Sequence, residues 1–362
     1  MELAYQERKN LISRLETARG SRVLCYFLSD RETLPPNIPG FSTQLASEPQ
    51  LLFIDQLRAI AIGRTECLDL FLYTRGGAVD SVWPLVILLR EYCEKLRIIV
   101  PFRAHSGGTL ICLGADEIVM THSAELSPID PATGNQFNPT DPITHARLGI
   151  SVEDVVSYFK LSEERAGITQ EPYKLEVLKE LTKQVHPLAL GNIQRVYLQI
   201  RHLAHKLLAL HMDPNTNLQK INEIVKVLTE EFYSHVHAIT YKEAVSLLGE
   251  WVKLPTQEEE LIIWDLFNSY AETLKLRDKF NLPEHIKDAL TYDLKVIGAF
   301  IESTELSHVY ITELKALQRP NLPPNIQVPP SPEGFLPLPI WATRVYDYNV
   351  YAMGWRTNHE EL

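Results

Sequence analysis

The 362-residue sequence predicts an α/β protein made of parallel β-α units with a helical carboxy-terminal extension. Three observations lead there. Short apolar runs alternate with amphipathic patterns through the first half, as in a parallel sheet with right-handed crossover helices. Two glycine-rich turns each close an apolar run and open a helical pattern. From Ser151 onward the hydrophobic period becomes helical.

In chain order, Arg22 to Leu28 reads as a strand and Gln50 to Ile62 as a helix. Leu68 to Tyr73 is a second strand, running into Thr74-Arg-Gly-Gly77, and Val82 to Glu94 is the helix that follows. Arg97 to Phe102 is a third strand; its turn carries Ser106-Gly-Gly-Thr109 and leads into a helix over Gly108 to Leu113, then a strand over Glu117 to Thr121. Ser151 is a good helix cap with the acidic Glu153 and Asp154 behind it, and Pro187 opens a long amphipathic helix reaching Met212. Further helices are expected at Leu218 to Phe232, Tyr241 to Leu248, Glu258 to Thr273 and Pro283 to Asp293, with a late strand at Val309 to Leu314. Arg319 to Pro339 is rich in proline, which favours an extended arm, and an aromatic tail with Trp341, Tyr346, Tyr348, Tyr351 and Trp355 follows. Docking of this tail on its own domain and packing on a neighbouring subunit are both open.

Composition narrows the function. With 45% hydrophobic and 22% charged residues the chain can bury a substantial core. A net charge of −11 argues against general nucleic-acid binding and against adsorption to anionic lipid. Met1 to Arg14 is charged and lacks the apolar core of an export signal, and no apolar stretch approaches the ~20 residues of a membrane span. A cytoplasmic protein is the expectation. Cys25, Cys67, Cys93 and Cys112 never form a closely spaced pair and read as buried thiols rather than a disulfide or zinc framework. His211 and the Ser234-His-Val-His237 segment read as structural or capping histidines, because an i, i+2 pair faces one side only in a strand. Neither a metal nor a cofactor is expected.

The two turns carry the chemistry. Gly76 and Gly77 let the backbone turn sharply with its N–H groups exposed, the arrangement that stabilises a developing oxyanion. A serine held at a tight strand-to-helix turn presents its hydroxyl where neighbouring N–H groups converge. Taken singly, each turn is also compatible with plain turn or cap chemistry; the pair in successive strand–turn–helix units is far more specific. The stretches Leu72 to Asp80, Arg103 to Met120 and Glu125 to Pro131 resemble the Clp protease and crotonase superfold. Within it they are most similar to peptidases of the signal peptide peptidase A type, in the branch of serine dehydrogenase proteinases. The resemblance runs from about Leu24 to Leu248 and implies a spiral of β-α units, Ser106 as nucleophile, and an oxyanion hole from N–H groups near Gly76, Gly77 and Gly107.

A serine needs a base. His105 adjoins Ser106 in sequence, so its side chain should diverge, making it a supporting or substrate-facing residue. The resemblance implies either a histidine after the next strand, whose place Asp130 takes here, or a lysine from a downstream helical segment. His122 is a lesser candidate. Lys160 shares a stripe with Val152, Val156 and Phe159, and Lys174 one with Leu178, Leu181 and Val185; Lys160 ranks first because it follows the Asp130 segment more closely. The sequence thus points to a serine endopeptidase acting on peptide or protein substrates, with a peptidase domain over 1–250, a helical extension over 251–318 and a proline-rich arm and aromatic tail over 319–362. The resemblance further implies a homo-oligomer. Two alternatives compete: a crotonase-like acyl-coenzyme A enzyme using the same hole, against which no basic patch for the nucleotide tail is evident, and a catalytically idle scaffold.

Overall fold

The computed structural model describes residues 2–31, 43–60, 63–129, 132–133, 135–141, 147–232, 234, 236–287, 289–321 and 343–357. These fall into two compact units. The first is drawn from residues 1–74, 88–101 and 255–362, the second from 75–87 and 102–254, a division that does not follow chain order.

In the first unit, strands Cys93–Val100, Thr65–Tyr73 and Arg22–Leu28 pair in parallel, in that order. Arg22–Leu28 then pairs antiparallel with Thr291–Glu302, which pairs with Ser307–Asn321, which pairs with Thr343–Thr357. The first strand lies where the sequence places it, the second begins three residues earlier, and the third begins at Cys93 and ends at Val100 rather than spanning Arg97 to Phe102; all three are buried and mainly apolar toward their carboxy-terminal ends. Their core is aromatic: Phe27 stacks on Tyr73 and Tyr270 at 4.4 and 4.6 Å between ring centres.

Three features depart from the sequence expectation. The helix Glu2–Arg19 is absent from it. Its buried stripe is Tyr5, Arg8, Leu11, Ile12 and Leu15, and Arg8 breaks the apolar pattern because its guanidinium binds Glu302 through two bonds of 2.7 and 2.8 Å. The expected helix Pro283 to Asp293 is only Leu282–Ile286; Lys287, at φ 48°, ends it and the strand Thr291–Glu302 begins soon after. The late strand is longer than expected, Ser307–Asn321, and the aromatic tail is its partner strand, with Tyr346 and Tyr348 packed near Leu282, Ile286 and Ala316. The tail therefore docks on its own chain. Trp341 and the proline-rich arm from residue 322 on lie outside the described residues.

The second unit contains the parallel pair Glu117–Met120 with Val252–Lys253 and a small sheet of Arg103–Ala104, Glu125–Leu126 and Ile239–Thr240. Helix Gly107–Leu113 is buried along its whole length. Beside it runs the long helix Pro187–Leu208, and a Cβ on Gly114 would stand 2.9 Å from Leu207 Cδ2 and 2.7 Å from Val86 Cγ1, so any larger residue would push these side chains aside. His211 Nε2 lies 3.1 Å from the Leu113 carbonyl at the end of the buried helix, and His237 pairs with Glu243 at 3.0 Å, the structural roles foreseen for them. Cys25, Cys93 and Cys112 are buried, and none of the four cysteines is in a disulfide. No helix among the described residues is long and apolar enough to cross a membrane.

Candidate active site

All residues of the site lie in the second unit. Ser106 stands between the short strand Arg103–Ala104 and the helix Gly107–Leu113 with φ 50° and ψ −109°, a left-handed conformation that a side chain rarely adopts. Strain of this kind persists only where the surroundings impose it. Here they do. The Ser106 N–H donates to Ser127 Oγ at 2.8 Å, the Gly108 N–H to the His105 carbonyl at 2.8 Å, and the Thr109 hydroxyl lies 2.9 Å from the carbonyls of both Ala104 and Ser127, which share its single proton. The Ser127 N–H returns a bond to Thr109 Oγ1 at 3.1 Å. Thr109 and Ser127 thus clip the serine turn to the segment just after the strand Glu125–Leu126.

The first glycine turn meets the second directly. Gly76 has φ 100°, and a Cβ there would stand 2.8 Å from Ser106 Cβ, 2.9 Å from the His105 carbonyl oxygen and 3.1 Å from the Gly107 nitrogen. Gly77 follows at φ 149°. Gly107 opens its helix, so its N–H has no intrahelical acceptor. The Ser106 N–H is already committed to Ser127. Gly107 is therefore the residue of the serine turn suited to receive an oxyanion, with the Gly76–Gly77 backbone opposite it.

His105 does diverge from Ser106. Its Nε2 stands 3.1 Å from Glu125 Oε1, at an angle that makes no hydrogen bond, and Arg103 Nε bonds the same oxygen at 2.7 Å. Burial, opposed by the Glu125 carboxylate and reinforced by Arg75 and Arg103, pushes the imidazole down to about 4, so it is neutral at physiological pH.

The base candidates stand elsewhere. Lys160 ends the helix Val152–Lys160 and is exposed. Lys174 lies in Glu171–Gln184, a helix that buries none of its residues, and pairs with Glu163 at 3.0 Å; that hydrogen bond and charge raise the ammonium above its ordinary value. His122 is exposed in the turn after Glu117–Met120. Among the described residues, none of the three bonds to Ser106. Asp130 lies outside the described residues. Sequence reasoning missed Ser127 and Thr109: serine and threonine are common in turns, and only the fold reveals what they hold.

The family model of ClpP-like SDH-type serine proteinases matches residues 1–153. Two uncharacterized proteins of Methanocaldococcus jannaschii are each 29% identical to the chain, one over 212 residues (58% of this chain, 62% of that protein) and one over 181 (50% and 61%). The chain thus spans about three fifths of the length of these curated relatives. Among solved structures, a serine-to-alanine mutant of the 1510-N membrane-bound stomatin-specific protease aligns with 60% of this chain and 78% of its own, at 17% identity and a TM-score of 0.36. A lysine-to-alanine mutant of that protease in complex with a substrate peptide aligns with 60% and 74%, at 15% identity and a TM-score of 0.35. Over residues 1–153, which hold both glycine turns and Ser106, the chain carries the pattern of the ClpP-like SDH-type serine proteinases, and the resemblance read from its sequence stands.

Proposed function

We propose that this protein is a serine peptidase that cleaves peptide bonds through an acyl-enzyme on Ser106. One observation carries the reading: Gly76, in a conformation suited to glycine, leaves the Ser106 Cβ and the Gly107 nitrogen the space that any side chain would fill. A scissile carbonyl seated there meets the hydroxyl on one side and the N–H of Gly107 with the Gly76–Gly77 backbone on the other. Attack by Oγ forms the tetrahedral oxyanion; its collapse expels the amine and leaves the acyl group on Ser106, which water then removes.

The proton passes to a lysine in this reading, and Lys160 is preferred. Lys174 is held as an ammonium by Glu163, the opposite of what a base requires. Lys160 is exposed, so the reading requires that substrate or a second subunit dehydrate it, since only a desolvated lysine is neutral near physiological pH. A homo-oligomer closing over the helices from Val152 to Gln184 accords with Leu161, Tyr173 and Leu175, which are 60%, 60% and 51% exposed.

The test is reaction of the protein with a fluorophosphonate probe followed by peptide mapping, alongside hydrolysis of casein. Labelling at Ser106, and loss of both labelling and hydrolysis in Ser106→Ala, are expected. Lys160→Arg is expected to be as inactive as Lys160→Ala, because a guanidinium stays protonated. Undiminished hydrolysis by Ser106→Ala would sink the mechanism; full activity of Lys160→Arg would remove Lys160 as the base.

A further inference from the structure

The first unit holds a cavity of about 230 Å³, lined by Arg31, Lys275 and Lys295 in a chain of net charge −11. Asp293 is the one carboxylate among the described residues that line it. It lies 3.7 Å from Lys315, and Lys295 lies 3.8 Å from Glu313, so these two charges have loose partners on the neighbouring strand. Arg31 differs. Its Nε donates to the Asp278 carbonyl at 3.1 Å, and its guanidinium lies 5.5 Å from the ring centre of Phe280. Phe280 is stacked on His285 at 5.4 Å and 17°, and His285 on Tyr292 at 5.6 Å and 22°. These contacts fix a half-buried guanidinium whose terminal nitrogens make no hydrogen bond among the described residues. Burial pushes it below its ordinary value, opposed by the charge of Asp278. A planar fork anchored through Nε, with its outer nitrogens open, suits an oxyanion bound through two bonds.

Lys275 is an independent sign. The helix Gln257–Thr273 ends in a Schellman cap: the Leu276 N–H bonds the Ala271 carbonyl at 2.9 Å and the Lys275 N–H the Glu272 carbonyl at 3.1 Å. Lys275 takes the left-handed position of that cap, at φ 54°, where glycine is the usual residue. Its side chain is exposed and has no ion pair among the described residues. A strained lysine where glycine would serve the backbone better points to use of the ammonium.

We propose that this cavity binds the diphosphate group of a small molecule, with Arg31 as the bidentate donor and Lys275 and Lys295 neutralising its charge. The site stands apart from the serine peptidase reading, and its test uses no peptide hydrolysis.

Isothermal titration of the full-length protein with inorganic pyrophosphate and with ADP, at matched ionic strength, provides that test. Saturable binding is expected, weakened about tenfold in Arg31→Gln and about fivefold in Lys275→Gly. Arg31→Lys, which keeps the charge and loses the fork, should fall between parent and Arg31→Gln. Lys275→Gly relieves the left-handed strain, so its Tm should be no lower than that of the parent, and weaker binding by a protein at least as stable separates the ligand role from the cap. Arg277→Gln removes a nearby cation that does not line the cavity and should bind like the parent. Tighter binding of ADP assigns the diphosphate to a nucleotide and equal binding to the diphosphate alone; both support the site. No saturable binding of either compound, parent-like affinity in both Arg31→Gln and Lys275→Gly, or an equal loss in Arg277→Gln, overturns it.

Discussion

In the first unit Glu302 has no exposed surface and accepts from Arg8, Tyr270 and Ser307; in the second, the Ser106 hydroxyl has no hydrogen bond among the described residues and its backbone sits at φ 50°. Asp69 repeats the first pattern: fully buried, it accepts from Arg19 and Ser21 at 2.6 and 2.7 Å and from Arg97. Where charge serves cohesion, every bonding direction is filled, because an unpaired buried charge costs several kcal/mol. In the proposed peptidase reading the reacting hydroxyl is left open and the bonds go to the backbone around it. Thr109 and Ser127 are saturated so that Ser106 need not be.

The largest effect expected from this contrast is at Gly76. Gly76→Ala drives a Cβ to within 2.8 Å of Ser106 Cβ and 2.9 Å of the His105 carbonyl, so the serine turn must shift, with a loss of about a hundredfold or more in kcat. Gly63 provides the control, since it has φ 88° and nothing within 4 Å of a Cβ. Gly63→Ala carries the backbone strain alone and should hydrolyse peptide at close to the parent rate. Equal activity of the two variants would show that the collision at Gly76 has no catalytic meaning.

Next in size is the buried pair of the first unit. Arg8 bonds Glu302 twice and lies 4.9 and 4.7 Å from the ring centres of Tyr270 and Phe300. Arg8→Ala strands the carboxylate and should lower unfolding free energy by about 3–5 kcal/mol in urea. Arg8→Met with Glu302→Gln removes both charges and should recover part of that loss. If the double variant is no more stable than Arg8→Ala, the penalty is lost packing rather than an uncompensated charge.

These two regions were not equally legible in the sequence. The parallel strands, the glycine turns and the serine were visible because strand runs and Gly-Gly pairs are local, and local pattern survives folding. The helix Glu2–Arg19 was hidden by Arg8, which occupies a stripe position that periodicity expects to be apolar, for a partner 294 residues away. Thr291–Glu302 was read as helix in part because Pro283 opens one, while its end depends on the backbone of Lys287 at φ 48°. The Thr109–Ser127 clip joins residues whose only signal is the contact itself.

A smaller effect is expected at that clip. Ser127→Ala removes the acceptor of the Ser106 N–H at 2.8 Å while burying no new group. The freed N–H no longer fixes the turn, so kcat should fall by about tenfold with KM little changed. Ser127→Thr, which keeps a hydroxyl, should recover most of it. A rise in KM with kcat intact would instead make Ser127 a substrate-binding residue.

The smallest effect concerns His105, and it tests whether the polar groups nearest the serine are held as tightly as those of the first unit. Burial keeps the folded imidazole neutral down to about pH 4, whereas the unfolded side chain takes up a proton near 6.5. Between those values the unfolded state binds more protons, so stability rises with pH across the window and falls on acidification. The contribution is fully present above 6.5 and is lost as pH drops toward 4. His105→Gln cannot titrate, so its Tm should decline less steeply over this range, by about a few degrees relative to the parent. Carboxylates elsewhere titrate in both proteins, and the difference between the two curves isolates the histidine. Parallel curves would mean that the imidazole is solvated in the folded protein, and that the site beside Ser106 is more open than its contacts with Glu125 and Arg103 imply.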